Sequence, residues 1–177
     1  MNAEKQQLRQ QMRAEAERHA AKERAACSFQ ICERIRSLDA WQDARSVLLF
    51  VPTVHEPDIS PLMNEGKRVS LPKFNAQLGQ YDAREVLGEL ARGQFGILEP
   101  SADCPVTKAL DLILAPGVAF TWDGRRLGRG KGYYDRLLAQ LKAVKIGVCF
   151  DWQIVPAMPR DVHDVLMDYI ITPTSFQ

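Results

Sequence analysis

Little in this sequence suits a membrane span, a disulfide framework or a zinc site. No run reaches the roughly eighteen apolar residues needed to cross a bilayer. The opening "MNAEKQQLRQQMRAE" is charged throughout and lacks the apolar core of a signal peptide, so the chain is expected to be soluble and cytoplasmic. Cys27, Cys32, Cys104 and Cys149 show no CxxC spacing, and without a secretory signal they read as buried thiols. Net charge is only +1, so no excess invites nonspecific binding to nucleic acid or membrane, and neither is expected as a partner. There is no internal repeat and no low-complexity stretch, and "VPAMPRD" is too short to be a linker. With 177 residues, 46% of them hydrophobic, the chain suffices for one substantial core and is short for two. A single domain over 1–177 is expected.

From Glu4 to Leu38 there is neither proline nor glycine, and Cys27, Ile31, Ile35 and Leu38 recur at helical spacing. This predicts two consecutive helices or one bent helix. The first part, to about His19, carries a thin apolar stripe (Leu8, Met12) among many charges, which suggests a lightly packed helix free to touch a ligand. "SVLLFVP", "KRVSLPKF", "LDLILAPGVAF", "VKIGVCF" and "MDYIITP" are short apolar runs of the kind expected in strands covered on both faces. "GQYDAREV" and "RGQFGILEP" are weaker strand or loop pieces, and a helix is predicted from about Gly132 to Lys142. Strands alternating with helices point to a three-layer α/β domain with a mainly parallel sheet.

Positive charge is concentrated in one place. Residues 124–136 hold Arg125, Arg126, Arg129, Lys131 and Arg136 against Asp135, a local charge of +4 that leaves the remainder of the chain acidic. In the same stretch glycine recurs at every second position: Gly128, Gly130, Gly132. Residues without Cβ let backbone approach a phosphate, successive N–H groups can converge on an anion, and a following helix N-terminus helps. The segment follows a buried strand and precedes a helix, which places it at the carboxyl edge of a sheet, where α/β proteins bind ligands. It is neither a P-loop, since Lys131 is followed by Gly132 and position 125 is not glycine, nor a GxGxxG turn, since its third glycine comes one residue early. The plainer alternative is a solvated basic loop. Against that, three alternating glycines carry a backbone entropy cost that a mere connector does not require. Asp135 reads equally as a Mg²⁺ ligand or as an acid favoured by the first turn of a helix.

"PGVAFTWDGRRLGRGKGYYDRLL" resembles the signature of the 5-formyltetrahydrofolate cyclo-ligases, also called 5,10-methenyltetrahydrofolate synthetases. "KQQLR" at 5–9 is similar to that family's N-terminal Lys-x-x-x-Arg element. "LLFVPTVHEPD", "FGILEP" and "GVCFDWQIVPAMPRDVHDVLMDYIITP" match further segments in the same order, over nearly the whole chain. The resemblance implies a Rossmann-like fold related to sugar-phosphate isomerases and CoA transferases. It also implies an ATP-dependent, Mg²⁺-requiring ligase that forms a C–N bond, converting 5-formyltetrahydrofolate into 5,10-methenyltetrahydrofolate with release of ADP and phosphate.

Carried over residue by residue, the resemblance assigns ATP contacts to Lys5 and Arg9, one helical turn apart, and to Arg126, Leu127, Gly128, Arg129, Gly130, Lys131, Gly132, Tyr133 and Tyr134. Arg129, Gly130, Lys131, Gly132 and Tyr133 would also face the formyl end of the folate, with Arg129, Lys131 and Tyr133 catalytic. Asp135 and Asp164 would hold Mg²⁺. Glu56 would accept hydrogen bonds from the pterin, and Val51 would line the same pocket. His163 would play a structural or hydrogen-bonding part, and His19 and His55 read as surface residues. Phe74, Trp122 and Trp152 are candidate aromatic walls, with core packing as their alternative. The family's common Glu-Val-Asp-Thr loop reads "EPDI" here, so Pro57 and Ile59 leave the loop's backbone hydrogen bonds to be found. Rival readings are a sugar-phosphate isomerase of the same fold, a noncatalytic folate- or nucleotide-binding protein, and a nucleic-acid module using the basic loop. A monomer or weak homodimer is expected.

Overall fold

The apolar runs form strands in the computed structural model, which describes residues 3–177; the first two residues of the expected domain lie outside that description. In chain order the strands are β1 (Ser46–Leu48), β2 (Arg68–Asn75), β3 (Gln80–Glu85), the short β4 (Ala91–Arg92) and β5 (Leu98–Glu99), β6 (Ala109–Ala115), β7 (Ala119–Phe120), β8 (Arg126–Leu127), β9 (Lys142–Val148) and β10 (Tyr169–Ile171). The helices are α1 (Ala3–Ala16), α2 (Ala21–Arg36), α3 (Asp39–Asp43) and α4 (Tyr133–Gln140). Six strands make the central sheet in the order β10-β9-β6-β1-β2-β3. All neighbours in it are parallel except β2 and β3, an antiparallel hairpin at one edge.

The sheet is covered on both sides, which is why its central strands read as continuous apolar runs. On one face Ile31 and Ile35 of α2 and Trp41 of α3 pack against Val47, Leu112, Leu114 and Ile146. On the other, Leu137 and Leu138 of α4 pack against Leu48, Ile113 and Ile170. Side chains as fully buried as Leu112, Ile113 and Leu114 contribute roughly 1.5–3 kcal/mol each relative to exposure. The result is the predicted three-layer α/β fold with a mainly parallel sheet. One departure is the passage from β9 to β10, which contains only a 3₁₀ turn (Asp151–Gln153) and irregular chain. That stretch carries Asp161 and Asp164.

The helical N-terminal segment is two helices, separated at residues 17–20 although no proline or glycine lies there. The separation follows from packing. Met12 of α1 joins a small cluster with Ala119, Leu127 and Met158, whereas Ile31 and Ile35 face the sheet, and a straight helix cannot serve both. All four cysteines are free thiols; three are buried, and Cys27 is only partly so. Burial pushes the Cys32 thiol up to about 11 and Cys149 well above its ordinary range, which suits inert packing groups.

Strand order also locates the site. The chain leaves β1 towards β2 on one side and leaves β6 towards β9 on the other, while β1 and β6 are neighbours. The crevice outside their carboxyl ends is the topological switch point, the usual ligand position in open α/β sheets.

Candidate active site

A cavity of about 240 Å³ opens at that point, bounded by Phe50 and Val51 after β1 and by Pro116 and Gly117 after β6. The glycine-rich segment forms a further wall. It begins at β8, which pairs with β7, and ends at Gly132, the residue preceding α4. Gly130 and Gly132 have φ of +97° and +65°, values that side chains rarely tolerate, so alternating glycine meets a backbone requirement here. Gly128 serves differently: a Cβ there would lie 3.1 Å from the Arg126 guanidinium.

That guanidinium is turned beneath the loop. Arg126, expected among the ATP contacts, is 5% exposed; its Nη1 donates to the carbonyl of Pro116 (3.2 Å) and its Nη2 to Oδ1 of Asp135 (2.8 Å). Leu127 is buried in the cluster with Met12, and its carbonyl accepts from Val118 N–H, so its side chain faces the core. Arg129 points across the cavity, donating through Nη2 to Glu56 Oε1 (3.0 Å) and Thr53 Oγ1 (2.6 Å). Lys131 lies over the rings of Phe95 (4.5 Å) and Tyr133 (5.8 Å).

The N-terminal helix reaches the outer side of this loop. Arg9 Nε donates to the carbonyl of Gly128 (2.8 Å), and its guanidinium carbon lies 3.3 Å from where a Cβ on Gly130 would sit. Burial lowers its pKa, partly offset by Asp164 and Asp135. Lys5 is buried and pairs with Asp161 (2.8 Å) and Asp164. Burial pulls the Lys5 ammonium down, but its hydrogen bonds to both aspartates and their negative charge outweigh it and hold its pKa above 10.5. Burial raises Asp164, yet Lys5 and the Asp161 N–H bring its pKa below 3.8. The structure therefore brings Lys5, Arg9 and Asp164 to the rim of the glycine loop, while Val51, Glu56, Asp135 and the loop itself line the cavity.

Asp135 stands in the first turn of α4, as one reading expected, but is also oriented by Arg126. Asp135 Oδ1 and Asp164 Oδ2 are each held by a cation, and no described residue donates to the remaining oxygen of either. Among the described residues no group of three metal-ligating side chains exists. Mg²⁺ does not require one, since it is usually bound by one or two carboxylates with substrate phosphates and water. The donor set present fits that ion.

The opposite wall is aromatic. Tyr81, Phe95 and Tyr133 line it, and Phe74 packs behind, 4.9 Å from Phe95 and 5.2 Å from Tyr133 between ring centroids. Tyr134 also lines the cavity; its hydroxyl is sealed without a partner, and burial, reinforced by Glu56, raises its pKa. Burial and Glu99 likewise raise Tyr81. Tyr81 and Phe95 carried no assignment from sequence, because they sit in the weaker strand pieces. Trp152 lies elsewhere, stacked between His19 (5.0 Å) and Phe150 (5.5 Å), and Trp122 does not line the cavity.

Three histidine expectations need correction. His19 is not a plain surface residue: it stacks on Trp152 and bonds Glu23 (2.9 Å). His55 is partly buried, with Nδ1 sealed and unpartnered. His163 is exposed and hydrogen-bonds to no described residue. The EPDI loop is tied at Glu56, Asp58 and the Ser60 that follows it. Glu56 Oε2 accepts from Thr53 N–H (2.9 Å), Asp58 N–H donates to Ser28 Oγ (3.0 Å), Ser60 N–H donates to Asp58 Oδ1 (3.0 Å), and Ile59 is completely buried.

Comparison with known proteins identifies the family. A model of the 5-formyltetrahydrofolate cyclo-ligase family matches residues 1–173. The 5-formyltetrahydrofolate cyclo-ligase of Mus musculus is 27% identical, covering 97% of this chain and 94% of its own. That of Mycolicibacterium smegmatis is 33% identical over 73% of this chain and 74% of its own. The NMR structure of Aquifex aeolicus 5,10-methenyltetrahydrofolate synthetase superposes with a TM-score of 0.88 at 33% identity, covering 98% of this chain and 91% of that one. The match spans the N-terminal helix, the glycine loop and the C-terminal strand alike, and the chain belongs to the 5-formyltetrahydrofolate cyclo-ligase family.

Proposed function

We propose that this protein is an ATP-dependent ligase that cyclises 5-formyltetrahydrofolate to 5,10-methenyltetrahydrofolate, releasing ADP and phosphate. The observation that carries the reading is the meeting of a cationic glycine loop and an aromatic wall around one cavity at the switch point. The N5-formyl group is an amide, and its oxygen is too poor a leaving group to depart as hydroxide. In the proposed course the formyl oxygen attacks the γ-phosphorus and ADP leaves. N10 then attacks the activated carbon, the C–O bond breaks with loss of phosphate, and the N10 proton passes to solvent. Such phosphoryl transfer asks the protein chiefly for positioning and charge stabilisation.

Lys131, Arg129 and Tyr133 are assigned to the reacting end, where the loop brings the γ-phosphate against the formyl oxygen. The backbone of Gly128, Gly130 and Gly132, with Tyr134 beside it, holds the phosphates, and Arg126 supports the loop from beneath. Leu127 anchors the loop through its buried side chain. Lys5 and Arg9 close on ATP from the N-terminal helix. Glu56 and Val51 bind the pterin. Asp135 and Asp164 would hold Mg²⁺, which neutralises phosphate charge when bound. We assign the enzyme to the cytoplasm, acting as one domain over 1–177, as a monomer or weak homodimer, without nucleic acid or membrane as partner; no described helix is long and apolar enough to cross a membrane.

The test mixes purified protein with 5-formyltetrahydrofolate, ATP and Mg²⁺ and follows the near-ultraviolet absorbance of the methenyl product. Absorbance should rise only when all three are present. A folded, ATP-binding sample that produces none refutes the reading. Replacing Asp135 by Asn should raise the Mg²⁺ concentration needed for half-maximal rate, and an unchanged requirement removes Asp135 from the metal site.

A further inference from the structure

A third carboxylate, besides Glu56 and Asp135, faces the same cavity. Glu99, on β5, is 3% exposed and lines the pocket beside Phe95 and Ile97. Its position is built rather than incidental. Lys73 of β2 donates to Oε2 (3.0 Å), and the carboxylate lies where a side chain on Gly93 would otherwise be, since a Cβ there would overlap all three of its terminal atoms. No described residue donates to Oε1. Glu56 differs: its Oε1 is taken by Arg129 and its Oε2 by Thr53 N–H. Of the two glutamates, Glu99 is the one with an oxygen that accepts from no described residue.

An ionised carboxylate that lines a cavity and has an oxygen without a protein donor can take a charge-assisted hydrogen bond from a ligand there. A ligand N–H would supply one. The tetrahydropterin ring has two donor regions, the amino-pyrimidine edge and the N8–H, and the second lies across the pyrazine ring from the formyl-bearing N5. Glu56 is tied to Arg129 of the glycine loop, the side where the formyl group must sit, whereas Glu99 is tied to β2 and makes no hydrogen bond to that loop. In a fully oxidised pterin N8 carries no hydrogen and presents a lone pair, which a carboxylate repels.

We propose that Glu99, held by Lys73 beneath Gly93, accepts the N8–H of the reduced pterin and is a specificity-determining residue that selects tetrahydrofolates over fully oxidised folates. The inference rests on the cyclo-ligase reading, and its test separates the two. Binding of 5-formyltetrahydrofolate and of folic acid is measured without ATP by fluorescence titration, for wild type and for Glu99→Gln, which keeps the size and an acceptor for Lys73. One charge-assisted hydrogen bond predicts a loss of about tenfold to a hundredfold in 5-formyltetrahydrofolate affinity. Folic acid affinity should be unchanged or improved, the KM for ATP should be unchanged, and thermal stability should stay close to wild type. Equal loss for both folates makes the Lys73–Glu99 pair a structural tie and overturns the proposal, as does unchanged affinity for the reduced folate. If Glu99→Gln does not fold, Glu99→Asp keeps the charge while withdrawing the oxygen from the cavity, and the same ratio of affinities decides. A wild-type protein that neither binds nor turns over 5-formyltetrahydrofolate sinks the cyclo-ligase reading itself. A wild type that does both, alongside an indifferent Glu99 variant, sinks only this inference.

Discussion

The two halves of the site are held together by different physics. The polar half joins α1, the glycine loop and residues 161–164, and its members are fastened by charge: Lys5 to Asp161 and Asp164, Arg126 to Asp135, Arg9 to the carbonyl of Gly128. The ring half joins the β2–β3 hairpin, the β4–β5 hairpin and Tyr133, and it is fastened by edge and stacked contacts among Phe74, Tyr81, Phe95 and Tyr133. Aromatic packing leaves a preformed slot for a flat ligand. Lys5, Arg9, Arg126 and Arg129 already have polar partners, so a polyphosphate that reaches them must exchange with those. Folate affinity should therefore be built in, and ATP affinity should depend on how readily the charged ties reopen.

Lys131 tests that division most severely, because it is assigned to phosphoryl transfer yet lies on the rings of Phe95 and Tyr133. Replacing it by Ala should lower kcat on the order of 100-fold while changing 5-formyltetrahydrofolate affinity little; equal losses would move Lys131 into the ring half. Next in size, Gly130→Ala combines a φ of +97° with a Cβ 3.3 Å from Arg9. Strain on the order of 1–3 kcal/mol should raise the KM for ATP about tenfold, read by steady-state kinetics, with folate binding spared. Phe95→Ala should do the converse, weakening folate about threefold to tenfold through lost ring contacts at constant KM for ATP. A parallel loss of both ligands would mean that the halves are coupled through Lys131.

The smallest expected effect is that of pH on α1. Asp164 is held below 3.8, so its contribution is present above that value and lost as pH falls through its folded pKa. Lys5 is held above 10.5, so its contribution is present below that value and lost only as pH rises through its folded pKa. Hydrogen exchange in α1 should accordingly be flat across neutral pH and accelerate below pH 3.8, while the sheet amides stay protected. The Lys5→Met variant should lose most of that acid step.

What could be read from sequence was what short-range physics determines. Continuous apolar runs marked the buried strands, and the alternating glycines marked a backbone that two positive φ values then required. Concentrated charge marked the cationic wall of the cavity. The family motifs named the remaining candidates at their numbers. Tyr81 was silent, and Phe95 and Glu99 stood in the matching FGILEP segment without an assigned role, because nothing local distinguishes a residue lining a cavity from one in an ordinary edge hairpin.

Tertiary structure alone decided the pairings. That Arg126 turns inward to Asp135 while Arg129 crosses to Glu56 cannot be inferred from two arginines three positions apart. Nor can the choice of Lys5 for Asp161 and Asp164, more than 150 residues away. Such contacts are set by which loop ends the strand order brings together, and only the folded sheet puts the carboxyl ends of β1 and β6 side by side.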